Sequence, residues 1–440
     1  VTLVLAWNNV RTNRTGLAAS FVAVLLAVTL VGGNGLVVAG ASTRDELHDI
    51  IGLLVLSALV SGFVSVFVVA GMLSMHVLRQ RRTWALLRSV GMTPRQVRRL
   101  ITVEALVVGV LASAAGCALA VPYAALMAAL MRMAGLAPGG IPVEVTAVPF
   151  VLASVVGVAV TLPAARLAAR KAVRVGPLEV LRESAAQRRL LPWPRAVAGV
   201  VALAGGVVLL WLVPELTPKD AVPTGLGATM ALCVGASALG PVAMRLLGLL
   251  LGAVAAVLDP GAGMLAGSSV VTQPRRAMSA ASPVMLTVAL ACTFMFAVAT
   301  SDAAEGVTRS GPAAWAAPLL VGSAVVYTVI SVLNATAMTM DERSEEIRLL
   351  RTVGTGPGQL VRMVCWETLI VTTAGALLGT GIAAASLAAL GKALTGEAWF
   401  AYSLPQYAGL VVVCAVSGLA GGLVSTRGAR RGALLADSQG

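Results

Sequence analysis

RTWALLRSVGMTPRQVRRLITVE, residues 82–104, returns as EEIRLLRTVGTGPGQLVRMVCWE at residues 345–367. Laid together without a gap, the two stretches share Leu86/Leu349, Leu87/Leu350, Arg88/Arg351, Val90/Val353, Gly91/Gly354, Pro94/Pro357, Gln96/Gln359, Arg99/Arg362 and Glu104/Glu367. Matches at one constant offset, in polar segments flanked by apolar ones, mark an internal repeat.

Each copy carries the same local physics. Trp84, Leu87 and Val90 fall three apart, which predicts a short helix with an apolar stripe and basic flanks at Arg82 and Arg88. Ile347 and Leu350 repeat that stripe. Gly91 can adopt the left-handed conformation that ends a helix. Thr93-Pro94-Arg95-Gln96 then restarts one, with a threonine N-cap, proline at the first helical position and glutamine three residues after the cap. Gly356-Pro357-Gly358-Gln359 is a weaker version of the same signal. Each copy therefore reads as a helix-turn-helix at a membrane surface whose second helix continues into a long apolar run. A lone copy would equally suit a basic juxtamembrane loop; two aligned copies argue against that.

The pattern L-L-R-[ST]-V-G-x-x-P-x-Q-[VL], placed after one apolar run and before another, closely resembles the cytoplasmic coupling helix of FtsX-like (MacB-type) ABC transporter permeases. The resemblance extends to both halves of the chain. It implies that Trp84, Leu86, Leu87, Arg88, Val90, Gly91, Pro94, Gln96 and Glu104 face one ATPase subunit. Ile347, Leu349, Leu350, Arg351, Val353, Gly354, Pro357, Gln359 and Glu367 would face a second. ATP and magnesium would then be held by those ABC ATPase subunits, two per permease chain, and this chain would carry no cofactor. The sequence has no G-x-x-x-x-G-K-[ST] loop, so it is not expected to hydrolyse ATP itself.

Composition agrees with that placement. Hydrophobic residues make up 58% of the 440 and charged residues 12%, which suits a polytopic membrane protein and not a soluble one. A net charge of +13 could suggest nucleic acid. Its distribution argues otherwise: of the 32 Lys and Arg, only Arg44, Arg132, Lys219, Arg309 and Lys392 fall on the expected outer side. That is the positive-inside asymmetry of a bacterial plasma (inner) membrane protein, here with both termini cytoplasmic. Cys117, Cys233, Cys292, Cys365 and Cys414 have no metal-ligand spacing and read as small packing residues. The first apolar run continues as a full span, so no cleavable signal peptide is expected.

Taken in order, the chain reads as all-α, with about ten transmembrane helices in two four-helix repeats joined by a two-helix connector. The first repeat covers 1–183. It opens on an amphipathic surface helix, Leu3 to Arg14, and its spans run near 16–40, 50–77, 100–127 and 147–165. Pro177-Leu-Glu-Val-Leu-Arg182 resembles a tail that follows the fourth span in this family. The connector, 184–263, holds span five near 196–213 and span six from about Gly225. The apolar character of span six passes Arg245 and reaches Leu258, too far for one crossing, so an interfacial helix is one reading of its end. The second repeat, 264–440, places spans near 278–299, 314–338, 368–390 and 407–424. Leu265, Ala266, Val270 and Thr272, in residues 265–276, align with Leu5, Ala6, Val10 and Thr12. The outer loops are short, whereas family members usually carry a large extracytoplasmic domain in one of them.

Ionisable groups are absent from the expected span interiors once Arg245 is set aside, which disfavours an ion-coupled carrier. Asn34 and Asn334 are the polar residues singled out there, as interhelical hydrogen-bonding groups or as part of a substrate path. Glu104 and Glu367 sit at the mouths of spans three and nine, as interfacial ion-pair partners of Arg99 and Arg362 or as transmitters of motion. The leading function is the permease of an ATP-driven exporter of a lipophilic substrate such as a lipid, lipopeptide or hydrophobic antibiotic. A non-transporting subunit that signals to a cell-wall hydrolase or sensor kinase is the alternative.

Overall fold

The computed structural model of the chain describes residues 14–44, 48–79, 91–135, 139–143, 145–174, 193–306, 316–342 and 355–437. They form α1 (Arg14–Ala41), α2 (His48–Arg79), α3 (Pro94–Met133), α4 (Ala147–Arg174), α5 (Trp193–Leu212), α6 (Pro218–Leu258), α7 (Ala262–Thr272), α8 (Pro274–Ala304), α9 (Ala316–Glu342), α10 (Pro357–Thr395) and α11 (Leu404–Asp437), with no strand among the described residues. Nine helices among them are long and apolar enough to cross a membrane. The expected eighth span, α9, contributes a shorter apolar stretch, Ala317–Leu333. Helices satisfy every backbone group within the segment, which is why apolar runs of this length fold this way in lipid. The chain is an all-α polytopic membrane protein.

Two compact units result. One comprises 1–189 with Ser310–Tyr327, the other Leu190–Arg309 with Thr328–Gly440. The connector thus packs with the second repeat. In the first unit α1 lies along α3 and also meets α2 and α4. Ser57 on α2 donates to the Leu320 carbonyl at 2.9 Å, and the Ser61 and Ser323 hydroxyls share a 2.9 Å hydrogen bond, which fastens the start of α9 to α2. In the second unit α10 packs on α8, α6, α7 and α11. Thr287 and Thr328 share a buried hydrogen bond that holds the later part of α9 to α8.

The repeat is repeated in its contacts. A Cβ placed on Gly116 of α3 would lie 2.8 Å from the Leu25 carbonyl oxygen and 2.8 Å from the Val28 Cβ on α1. One on Gly379 of α10 would lie 2.6 Å from the Met285 carbonyl oxygen and 2.9 Å from the Val288 Cβ on α8. Gly116 and Gly379 are related by the offset that relates Leu87 to Leu350. Both units therefore bring the backbones of the same helix pair together over a glycine, the packing small residues permit between membrane helices. A second pair has exchanged sides. Gly109 on α3 faces Thr161 on α4, whereas Thr372 on α10 faces Gly418 on α11. The combined volume is retained while its source switches helix.

Three helices are about twice as long as the hydrocarbon is thick. α3, α6 and α10 have 40, 41 and 39 residues, about 60 Å at 1.5 Å per residue, against about 30 Å of hydrocarbon. For α3 and α10 this is the expected run from the coupling segment into the span. For α6 it replaces the expected interfacial piece: the helix continues unbroken past Arg245, which is exposed, to Leu258. Within it, Pro241 has no N–H for the Ser237 carbonyl. Arg195 on α5 supplies the missing donor, its Nη2 lying 3.1 Å from that oxygen.

The surface helix at Leu3–Arg14 and the Pro177–Arg182 motif lie almost wholly outside the described residues. The second-repeat counterpart of the former is present as α7.

Candidate coupling site

In the first coupling segment Gly91 has a φ of 105°, which is open to glycine and strained for other residues. Thr93 follows as N-cap of α3 in extended conformation, φ −73°, ψ 152°. Its hydroxyl accepts from the Gln96 N–H at 3.4 Å, and Gln96 Oε1 accepts from the Thr93 N–H at 2.8 Å. Pro94 occupies the first turn. This is the reciprocal capping arrangement expected from the sequence.

The second segment copies the backbone and drops half the side-chain chemistry. Gly356 caps α10 with φ −70°, ψ 152°, and Pro357 again stands in the first turn. Gln359 Oε1 accepts from the Gly356 N–H at 3.2 Å. Glycine has no hydroxyl to return the bond. The two segments nonetheless start these helices with nearly the same torsions.

Past the caps, both helices bury one face and expose a basic one. Val97, Leu100 and Ile101 are buried on α3, with Arg95, Arg98 and Arg99 exposed; Leu360, Met363 and Val364 are buried on α10, with Arg362 exposed. Glu104 is 4% exposed, while its counterpart Glu367 is half-buried. The matching glutamates thus meet different surroundings.

One aspartate ties the second segment to the connector. Asp259 Oδ2 lies 3.4 Å from Arg362 Nε. Two residues ahead of the N-cap Gly261, its Oδ1 accepts from the N–H of Ala262, the first residue of α7, at 3.1 Å. Asp259 also ends α6, its N–H donating to the Ala255 carbonyl. The hairpin it closes is tight: Gly252 and Gly267 bring their backbones together, and a Cβ on Gly263 would fall 2.0 Å from the Ala255 carbonyl oxygen. A carboxylate beside Pro-Gly at the end of an apolar run was the available signal, but nothing local pointed it at Arg362.

The hydrogen bond to Ala262 and the ion pair can be separated. Arg362 is 60% exposed, so the pair is worth about 0–1 kcal/mol, whereas a hydrogen bond to a charged group is worth about 1.5–3 kcal/mol. Asp259→Ala should lower the melting temperature of the solubilised protein more than Arg362→Ala. Equal losses in a thermal-shift assay would show that the ion pair, not the bond to Ala262, carries the contribution.

Trp84, Leu86, Leu87, Arg88 and Val90 lie outside the described residues, as do Ile347, Leu349, Leu350, Arg351, Val353 and Gly354. Asn34 is 8% exposed and accepts a 3.3 Å hydrogen bond from the Tyr123 hydroxyl, which joins α1 to α3. Asn334 falls within α9, and its side chain is outside the described set.

The profile of the FtsX-like permease C-terminal family matches residues 55–177 and again 319–433. The chain belongs to the FtsX-like permease family. Each match takes in one coupling segment with the spans beside it, so the two-copy reading of the sequence and the two matched regions coincide. No curated protein matches the chain. As an FtsX-like permease it is a multi-pass membrane protein of the ABC type, and ATPase subunits are the usual partners of that family.

Proposed function

We propose that this FtsX-like permease is the membrane subunit of a MacB-type ATP-driven exporter, working with two separate ATPase subunits and moving a lipophilic substrate. The observation that supports it best is the matched pair of helix starts at Thr93 and Gly356. Each leads from a coupling segment straight into a helix of about 60 Å, long enough to carry motion at the membrane surface through the bilayer. ATP and magnesium belong to the partner subunits in this reading. Closure of the ATPase pair displaces both coupling segments, and the two repeats respond. Signalling is the second reading. Export is preferred because residues 42–47 and 305–315, the connections after the first span of each repeat, are too short for an extracytoplasmic docking domain.

Purified alone, the chain should show no ATP hydrolysis; with its ATPase it should co-purify at one permease to two subunits. A contaminant-free ATPase rate from the lone chain would refute this assignment. Orientation has its own check. Single cysteines at Ser42, Thr217, Ser310 and Gly396, in a background without native cysteines, should react with an impermeant maleimide added outside. Those at Ser89 and Thr352 should not, and outside labelling of either would invert the topology.

A further inference from the structure

Contacts along α6 fix its register against the two helices that follow it. Gly252 meets Gly267 and Gly248 meets Val270, both on α7. Further along, Gly240 meets Met278 on α8, Ser237 and Ser282 share a 2.9 Å hydrogen bond, and the Thr229 and Thr293 hydroxyls lie 3.5 Å apart. The partners advance residue for residue, so α7 and α8 together run antiparallel to α6. α10 runs parallel to α8, with Gly375 against the Ala281 carbonyl oxygen and Gly379 against that of Met285. This register places Arg245 of α6, Arg275 and Arg276 of α8 and Glu367 of α10 within about one turn of a common level. At the other end Lys219 and Asp220 of α6, Asp302 of α8 and Lys392 of α10 share a second level. Between the two, residues 221–244, 277–301 and 368–391 hold no charged side chain. Each stretch is about 36 Å long, close to the hydrocarbon thickness of about 30 Å. Charged groups avoid that layer, so the two levels mark its edges.

α6 does not stop at the Arg245 level. Residues 246–258 carry it about 20 Å further, alongside α7 and on the side where α10 begins at Pro357. One face of this extension, Gly248, Gly252 and Ala255, is buried. On the other, Leu246, Leu249, Leu250, Val254, Val257 and Leu258 are 54–81% exposed. Within the hydrocarbon such a face would simply meet acyl chains. Beyond it, a strip of aliphatic side chains about four turns long is the kind of surface that meets a protein partner. The strip ends at Asp259, whose 3.4 Å pair with Arg362 ties it to α10 just past the second coupling segment.

We propose that this strip of α6 is a docking surface for an ABC ATPase subunit, the one that meets the second coupling segment. The proposal rests on the exporter reading in one respect, that ATPase subunits meet the coupling segments. Three features select this occupant. The strip lies beyond the charged level that bounds the lipid, on the coupling side. Its tip is fastened to the helix that leaves the coupling segment. It is also free of charged residues from Leu246 to Leu258, as the core of a protein interface is. The connector occurs once in the chain, so one of the two ATPase subunits gains this contact.

The test is photo-cross-linking in membranes, with the full chain co-expressed with its ATPase. Benzoylphenylalanine is placed singly at Leu250, Val257, Thr352 and Val201, the last an exposed position in the uncharged stretch of α5. Leu250 and Val257 should each give an adduct with the ATPase, as Thr352 in the coupling segment should, and Val201 should not. Leu250→Asp combined with Val257→Asp should reduce the ATPase retained in a pull-down by roughly tenfold or more. The melting temperature of the solubilised permease should stay unchanged, because both side chains face outward. If the double variant melts lower, Val257→Asp alone serves, at the more exposed position. Full ATPase retention by the variant, or adducts from Thr352 alone, would overturn the proposal and leave the exporter reading standing. The absence of an ATPase adduct at every position would overturn both. Adducts of Leu250 and Val257 with a second permease chain, with another segment of this chain or with lipid alone would equally overturn the docking assignment.

Discussion

Leu87→Asp together with Leu350→Asp should leave a permease that neither retains its ATPase in a pull-down nor stimulates it. Burying one leucine at such an interface is worth about 1.5–3 kcal/mol, and an aspartate in its place adds the cost of desolvating a charge. Each substitution should therefore weaken its own dock by more than roughly a hundredfold, at about 1.4 kcal/mol per tenfold. Either single change should abolish most transport, because the ATPase pair closes as a unit, yet one intact dock should still hold some ATPase. Arg88→Ala should cost less, since the flanking arginines orient the dock and the apolar stripe provides most of the affinity. The comparison is pull-down and stimulated ATPase rate for both singles and the double. Normal binding and stimulation by the double variant would remove these segments from the interface.

The parts of this protein that could be read from its sequence are those fixed by local chemistry. Gly91, Thr93, Pro94 and Gln96 define a helix start within six residues, and the structure builds it as written. Apolar runs longer than a bilayer crossing specify helices whatever surrounds them, so the expected spans all fall on helices. The end of α6 was not legible. At Pro241 the open Ser237 carbonyl is met by Arg195, which comes from a different helix, and composition alone cannot distinguish a continuing helix from a new one at an interface. The Asp259–Arg362 pair was hidden for a similar reason. It joins the connector to a coupling segment about a hundred residues later, with no periodicity to announce it. The exchange of glycine and threonine between Gly109/Thr161 and Thr372/Gly418 hid a further part of the repeat. An alignment scores each position separately, while the packing conserves the pair.

That packing sets the second large effect. Gly379→Ala should destabilise the solubilised protein, and Gly116→Ala should do so in the other unit. In each, the new methyl meets a backbone carbonyl oxygen at 2.6 or 2.8 Å and the β-carbon of a valine. Neither neighbour is the end of a flexible side chain, so the helices themselves must separate. Overpacking of this kind costs about 1–3 kcal/mol, and the loss extends along the α8–α10 or α1–α3 seam because rigid helices cannot part at a single point. Intrinsic preference acts the opposite way, since alanine favours a helix over glycine by about 1 kcal/mol. Gly381 isolates that opposing effect: it lies two residues from Gly379 on the same helix, and a Cβ there meets nothing within 4 Å. Gly381→Ala should therefore be neutral or stabilising, while Gly379→Ala lowers the melting temperature. If all three variants melt together with the unaltered protein, the close approach of α8 to α10 is not what holds the second unit together. If only Gly379→Ala and Gly116→Ala fall, each should also lose transport with ATPase binding retained, because their fault lies in the spans that carry the motion and not in the dock.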